Sequence, residues 1–574
     1  MSQCRWIFRP PQSGAAELAS ALGLMPEVAA IMVQRGLADE AAARRFLTPR
    51  LAELRQPYLM AGMEAAVGRL ELAVRRRERV TLFADYDVDG VTSAAILFEL
   101  LQSVKVPVEC VIPDRMGEGY GLGEAALKRV MATRPSLLVT LDSGISDAPR
   151  IAAAAAAGVE TIVVDHHELP PEPPLALAIV NPKQPGCPFP FKALAAVGLA
   201  FYLACALRTR LLSSTGLPQP CLQPQDWLDL AALGTVADLV PLREENRILV
   251  KAGLERLSAT TRPGLLALKE ISGCRGQVTS GDIGYRLAPR LNAAGRMGDA
   301  GRALRLLLTH DAAEARELAS ALDDENTRRQ AVEAQIEAEC RHRLDGAALG
   351  HSVIMGSVGW HPGVIGIVAS RLTERFHRPA IVLAEEGGYW RGSARGIRGL
   401  HLFEALSSCG HLLERFGGHR QAGGMLVSEG NLEGFREAFE GYCAANLTPA
   451  DLTPLLDLDL PLPLERVSMR LAEELAWLEP YGLGNPRPVF AASAVRPLTW
   501  NRMRDQHLRA TLGANGVRVE AVGFGLWGER PAGPVDIAFQ AEVNEWRGAR
   551  SLRLNLKAIR PAVLASAGAA PKIE

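Results

Sequence analysis

The sequence predicts an α/β protein. A mostly parallel sheet covered by helices on both faces is joined by a long helix to a smaller α/β lobe, and a five-stranded β-barrel of OB type follows near the C-terminus. Three observations carry this. Between residues 80 and 240, short apolar β-rich runs alternate with helical stretches, the pattern of a parallel sheet. Residues 304–340 are almost uninterrupted helix formers, dense in Ala, Glu and Arg. Late in the chain, runs at 496–500, 507–512, 517–524, 535–543 and 551–559 alternate as short strands do.

A chain of 574 residues is too long for one core, so several folding units are expected. With 63 basic and 64 acidic residues the formal charge is −1. Any nucleic-acid path must therefore come from local arrangement of charge. Nine cysteines without a CxxC pair read as reduced residues of a cytoplasmic protein. The N-terminus shows no basic segment leading into a long apolar core, and outside the Ala-rich helices nothing approaches a membrane span, so no membrane segment is expected.

In chain order, residues 1–45 read as a small helical lead-in, with helices at 26–35 and 39–47. An amphipathic helix at 63–77 then delivers the chain to the first core strand, 80–84. That strand runs into Asp85, Asp87 and Asp89, then Gly90 and a helix at 91–101. Three anions so close repel one another, and a divalent cation is the usual remedy; an acidic surface turn is the plain alternative. Strand 137–141 ends in Asp142, strand 161–164 ends in Asp165, His166 and His167, and the helical stretch 228–236 ends at Asp238. Right-handed crossovers bring the C-terminal ends of such strands to one edge, so these groups come within reach of one another. Carboxylates with one or two imidazoles suit Mn²⁺ or Mg²⁺. Further strands are expected at 108–112 and 175–180, and helices at 123–132 and 151–157.

Arg115 lies in a glycine-bearing loop, free to touch a phosphate or to pair with Glu118. The loop 181–191 holds four prolines and one lysine that could face DNA, Lys183. Arg286, Arg290 and Arg296, with Asn292, share a segment with three glycines; Arg296 either grips a phosphate or clamps a domain joint. In the second lobe, strands at 351–358 and 379–384 flank a helix at 363–373. The GSARG segment, with Ser393 and Arg395, reads as a glycine turn offering backbone donors, a hydroxyl and a guanidinium to one anion. In the barrel, Arg502, Arg504, His507, Trp546, Arg547 and Arg550 are candidates for a single-strand track, while Phe524 and Phe539 read as core.

DYDVDG at 85–90, LDSG at 141–144, VVDHH at 163–167 and GTVADLVPLREENR at 234–247 resemble the successive motifs of the DHH phosphoesterase superfamily. IPDRMGEGYGL, NPKQPGCPFPFKALAAVG, PRLNAAGRMGD, GWHPGVIGIVASRL, GSARGI and FGGHRQAGG narrow the resemblance to its RecJ branch of bacterial single-strand-specific 5′ exonucleases. The resemblance implies a lead-in over 1–45, a DHH catalytic domain over 46–300, a connecting helix over 301–345, a DHHA1 substrate-binding domain over 346–435, an OB-type domain over 448–562 and a tail at 563–574. It implies 5′ to 3′ hydrolysis of single-stranded DNA to 5′-mononucleotides in DNA recombination and repair, with two Mn²⁺ or Mg²⁺ ions per site. Asp85, Asp87, Asp89, Asp142, His166 and Asp238 are the implied metal ligands; Asp165 and His167 complete the catalytic group. Arg115, Arg296, Ser393, Arg395 and His419 are the implied DNA contacts. Relatives in the wider superfamily often carry a histidine at the position of Phe83, and Asp85 is the expected substitute. The family pattern GGHxxAAG has Gly423 in place of an alanine here, which is expected to loosen packing slightly. A monomer is expected, with single-strand-binding protein and a DNA helicase as partners and single-stranded DNA with a 5′ end as substrate. The alternatives are a DHH phosphoesterase acting on short oligonucleotides or cyclic dinucleotides, and an inactive DNA-binding scaffold.

Overall fold

The structure, a computed structural model, describes residues 4–562 except 116, 120, 217, 220, 221, 505, 529, 530, 532 and 547. Arg547 and the 563–574 tail lie outside the described residues, as does the side chain of Trp546. The chain folds as two compact units. One is Leu51–Thr453, and the other joins the described residues up to Arg50 with those from Pro454 onward.

The N-terminal strand β1 (Arg5–Phe8) belongs to the second of these units. The larger unit begins its first sheet with β2 (Val80–Ala84), β3 (Val108–Val111), β4 (Leu137–Leu141), β5 (Glu160–Val164) and β6 (Ala178–Val180), in spatial order β3-β2-β4-β5-β6. Every pairing is parallel. β2 and β4 are buried along their whole length, as near-continuous Val, Leu and Phe runs require when helices cover both faces. The chain leaves β2 for β3 on one side and returns to β4 on the other. The crevice beyond the carboxyl ends of β2 and β4 is therefore the switch point at which open α/β sheets hold their ligands.

Helices α1 (Val88–Ser103), α2 (Ala196–Ser213) and α3 (Leu228–Ala237) pack behind that edge. α1 and α3 touch at Gly234, where a Cβ would lie 2.3 Å from Thr92 Oγ1. α2 is long and apolar enough to cross a membrane, yet 67% of it is buried inside the protein. α4 (Ala288–Met297) and a short helix, Gly301–Leu308, lead to α5 (Ala312–Leu344). At 33 residues α5 is about 50 Å long. Its buried seam passes from Leu318 and Leu322, in the core of the first lobe, to Ile336 and Cys340, in the core of the second. Between them the seam is polar: Asn326, Arg329 and Glu333 are all buried.

The second lobe is a five-stranded sheet of β7 (Val353–Ser357), β8 (Ala380–Glu386), β9 (Tyr389–Arg395), β10 (Arg415–Gly418) and β11 (Ala422–Ser428), in order β10-β11-β9-β8-β7. One face carries α6 (Ile365–Phe376); the other carries Leu402–Ser408 and Leu432–Asn446. GSARG is thus not a turn but the end of β9 and the residue after it. The backbone there pairs with β8 and β11, so only the Ser393 and Arg395 side chains remain to meet a ligand.

In the smaller unit β12 (Leu455–Leu458) pairs in parallel with β1, and β13 (Leu460–Pro461) with β14. A barrel follows from β14 (Phe490–Met503), β15 (His507–Ala514), β16 (Val517–Gly523), β17 (Val535–Trp546) and β18 (Ala549–Pro561). The order β14-β15-β16-β18-β17 closes through β17 onto β14, with β16 and β18 parallel, which is OB topology. Val28, Ile31 and Met32 of the N-terminal helix Pro26–Gln34 share one core with Leu471, Phe490 and Phe539. The N-terminal segment is therefore no lead-in to the catalytic sheet. Its apolar face is buried with the barrel, and it contains a strand as well as helices.

Candidate active site

The acidic cluster is assembled from four strand or helix ends. Asp85 follows β2 directly, and Gly90 sits so close behind it that a Cβ would lie 2.4 Å from the Asp85 carbonyl oxygen. Asp87 caps α1: its Oδ1 accepts the N–H groups of Asp89 at 2.9 Å and Gly90 at 3.2 Å. Asp89, in the first turn of α1, accepts backbone N–H groups from Ala196 and Val197, each at 2.7 Å, one on each carboxylate oxygen. The amino end of α2 thus fixes this carboxylate as it would a bound anion. Asp142 follows β4 with φ at 57°, a conformation Asp tolerates better than most residues. Asp165, His166 and His167 follow β5, and Asp238 caps the end of α3.

These ends meet. His166 Nε2 lies 3.2 Å from Asp142 Oδ1, 3.6 Å from Asp238 Oδ2 and 4.0 Å from Asp89 Oδ2. Three donor groups result, Asp85 with Asp87 and Asp142, Asp89 with His166 and Asp238, and Asp142 with His166 and His167, each with its ligand atoms within 4.8 Å of one another. Phe83 takes no part: it is buried in an apolar layer with Val111, Leu122 and Leu138. Asp85 lies with Asp87 and Asp142 in one of these donor groups.

The electrostatics favour a cation. Burial, and then repulsion among the carboxylates, raises Asp85 and Asp142 well above the usual range, Asp89 to about 7 and Asp238 to about 9. Burial, and then His167, lowers His166 to about 3, so its imidazole is neutral and ligand-ready. Asp85 Oδ1, His166 Nε2 and Asp238 Oδ2 are buried without a hydrogen-bond partner. Buried polar atoms are seldom left so, and oxygen donors with one imidazole fit Mn²⁺ or Mg²⁺. His167 is set apart by its neighbour: Asp165 Oδ1 holds its Nδ1 at 2.8 Å and its N–H at 3.0 Å. Burial lowers the His167 pKa, but the hydrogen bond and charge of Asp165 outweigh it and the net shift is upward.

Facing groups come from the first lobe, the joint and the second lobe. Arg115 stands over the Tyr86 ring, 5.0 Å from its centroid, while Glu118 pairs with Arg129 at 2.9 Å. The pairing of Arg115 with Glu118 is thereby replaced. Arg296 donates to the Gly363 carbonyl at 3.2 Å, spanning the two lobes. Burial, then Arg115 and Arg329, lower its guanidinium to about 10. Arg395 is lowered by burial and then by Arg115, and donates to Ser370 Oγ at 3.1 Å and Ser393 Oγ at 3.2 Å. Arg115 thus lowers both Arg296 and Arg395, residues far from it in sequence. Beside Ser393 the ladder places Gly424 and then Gly417, with no atom within 4 Å of a Cβ on Gly417. That glycine floor leaves open space above it.

His419 lies exposed on the β10–β11 hairpin, its N–H bonded to the Ala422 carbonyl at 2.8 Å, and is not part of the acidic cluster. Gly423 does not loosen the packing: a Cβ there would lie 2.7 Å from Leu406 Cδ1, so Leu406 fills the space. Lys183 pairs with Glu168, Arg286 with Asp282 and Arg290 with Asp323. In the barrel Arg502 and Arg504 are exposed at the β14–β15 hairpin, and Arg550 pairs with Glu473. Phe539 is core, but Phe524 is not. It is 59% exposed and meets His507 edge-on at 5.4 Å, because it lies just past β16, where the alternation stops. Residue-by-residue reading missed Tyr86 as the rest for Arg115, and it placed Asn292 in the arginine segment without its role: its Oδ1 accepts the Val88 N–H at 3.1 Å and braces the acidic loop. The helix start at Ala196, just after a proline-rich loop, was the available signal for the Asp89 anchor.

A parallel sheet with such a donor set at its switch point, joined by a long helix to a second lobe that carries Ser393 and Arg395, defines the class: this is a DHH-type protein. The DHH family N-terminal domain matches residues 79–235, the DHHA1 domain 350–445 and the RecJ OB domain 458–558. The single-stranded-DNA-specific exonuclease RecJ of Bacillus subtilis is 39% identical over 570 residues, covering 97% of this chain and 71% of that protein. The crystal structure of RecJ with Mn²⁺ from Thermus thermophilus matches with a TM-score of 0.83 at 35% identity, over 97% of this chain and 80% of that one. The Mg²⁺ complex of RecJ from the same organism matches with a TM-score of 0.77 at 33% identity, over 97% and 78%. The chain belongs to the RecJ family.

Proposed function

We propose that this chain is a metal-dependent exonuclease that degrades single-stranded DNA from its 5′ end and releases 5′-mononucleotides. The observation that carries the reading is the acidic cluster together with Arg115 over Tyr86 in the first lobe, Arg296 at the joint and Arg395 beside Ser393 in the second lobe. Asp85, Asp87 and Asp142 would hold one divalent ion and Asp89, His166 and Asp238 a second. When bound, Mn²⁺ or Mg²⁺ supplies Lewis acidity and an activated water.

The chain's own residues set the geometry. Asp89 is held by the amino end of α2, so the position of its carboxylate does not depend on substrate. Asp165 fixes the His167 ring through Nδ1, so a substrate contact falls to Nε2, and the raised pKa favours an imidazolium beside a phosphate oxygen. Arg395, oriented by Ser370 and Ser393, with Arg115 and Arg296, would hold the terminal phosphate. A phosphate hold at a fixed distance from the hydrolytic centre measures a length from the chain end, which distinguishes an exonuclease from an endonuclease. His419, on the same sheet, would contact the backbone further along. Single-strand-binding protein and a helicase that exposes 5′ ends are the protein partners that suit this activity, in DNA recombination and repair in the cytoplasm.

The test uses single strands labelled at either end. Release of 5′-terminal mononucleotides first is expected. Initial release from the 3′ end, or nicking of a circular single strand, would sink the reading. Faster turnover of a dinucleotide than of a long strand would favour a small-substrate phosphoesterase.

A further inference from the structure

A pocket of about 200 Å³ opens next to the acidic cluster, between the two lobes of the larger unit. Its apolar walls include Leu239 and Ala288 from the first lobe and Ile367 of α6 from the second; its polar lining is Asn292, Arg296 and Arg329. Leu239 directly follows Asp238 and is held at φ 57° with 70% of its surface exposed. A leucine seldom adopts that conformation, and such strain clusters where a ligand is met. The polar side is fixed in place. Asn292 braces the acidic loop through the Val88 N–H, Arg296 is tied to the Gly363 carbonyl, and Arg329 is tied to Asn326 at 2.8 Å and to Glu333.

Apolar walls with a rim of amide and guanidinium donors match a nucleobase, which has flat π faces and an edge that includes ring-nitrogen or carbonyl acceptors. The volume is below the ~300–1,000 Å³ of pockets that take drug-sized ligands, a scale closer to one base than to a base pair. Arg296 belongs both to this rim and to the arginine group beside the acidic cluster, which puts any base held here next to the sugar-phosphate step being cut. We propose that the pocket receives a single unpaired nucleobase adjoining the scissile linkage and thereby contributes to selection against duplex DNA. The inference rests on the nuclease reading and adds the subsite that senses the base.

The test is an abasic scan with the full-length protein and Mn²⁺. A set of 5′-phosphorylated single strands carries one abasic residue at successive positions from the end. One position should raise KM by roughly fivefold or more, the range of a lost base stack, with neighbouring positions little affected. Ile367→Trp, which fills the pocket, should erase that position dependence. Leu239→Gly, which removes a wall where glycine adopts the φ without strain, should raise KM for the intact strand toward that of the abasic one. A flat abasic profile, or a profile unchanged in both variants, overturns the pocket while leaving the nuclease reading in place. Absence of degradation of every strand would overturn both.

Discussion

The two lobes of the larger unit build their share of the site in opposite ways. In the first lobe the groups lie beyond strand or helix ends, are mostly buried, and are displaced from their ordinary ionisation by burial and one another. In the second, Ser393 and Arg395 are alternate residues of a regular strand, half-buried above a glycine floor, and their backbone is spent on the ladder. Chemistry needs a desolvated, repulsive cluster that a cation relieves once its carboxylates are ionised. Holding a phosphate needs fixed donors with open space in front of them, and a strand supplies both.

Substitutions on either side should separate the two roles. The largest effect is expected for Asp142→Ala or Asp89→Ala, each removing a carboxylate from the cluster at a cost of several kcal/mol, about 10³-fold in rate. DNA binding should largely survive. Near-native rates in Mn²⁺ from either variant would break the division. Arg395→Ala should slow digestion of 5′-phosphorylated strands about tenfold or more, the worth of one charge-assisted contact at roughly 1.5–3 kcal/mol. It should also narrow the preference for a 5′-phosphate over a 5′-hydroxyl while sparing a minimal activated phosphodiester; equal losses on both substrates would place Arg395 in the chemistry.

The cluster's ionisation gives a graded test. Asp89 at about 7 and Asp238 at about 9 lie above their unfolded values near 4. Their protonated forms therefore favour the metal-free fold at low pH, and that contribution is lost as pH rises through 7 and then 9. A divalent ion replaces those protons, so its stabilisation should grow from pH 6 to pH 9, with proton release on binding. Thermal melts with and without Mn²⁺, and calorimetry in buffers of different ionisation heat, would measure this. A metal-induced shift in Tm that does not change with pH would count against the cluster as the metal centre.

The smallest effect concerns the boundary between units. A protein cut after residue 446 would leave Val28, Ile31 and Met32 without the core they share with the barrel. The 51–453 fragment is the proper minimal unit. It should still cleave, with weaker DNA binding and a shallower salt dependence, because fewer phosphates are neutralised. Unchanged affinity would assign no DNA contact to the barrel.

Much of this protein was legible from its sequence. Strand runs ending on Asp85, Asp142 and Asp165, a helix ending on Asp238 and the helix-rich stretch after residue 304 are local patterns, and right-handed crossovers alone bring the acidic ends to one edge. Tertiary structure decided the rest. The anchoring of Asp89 by Ala196 joins residues 107 positions apart. GSARG became strand because neighbouring strands were there to pair with it. Phe524 was left exposed because its strand had already ended, and the N-terminal helices joined the C-terminal core because their apolar faces fitted that surface. Periodicity and residue chemistry are properties of short windows of chain, whereas which amino end meets which carboxylate, and which face meets which core, depends on packing across hundreds of positions.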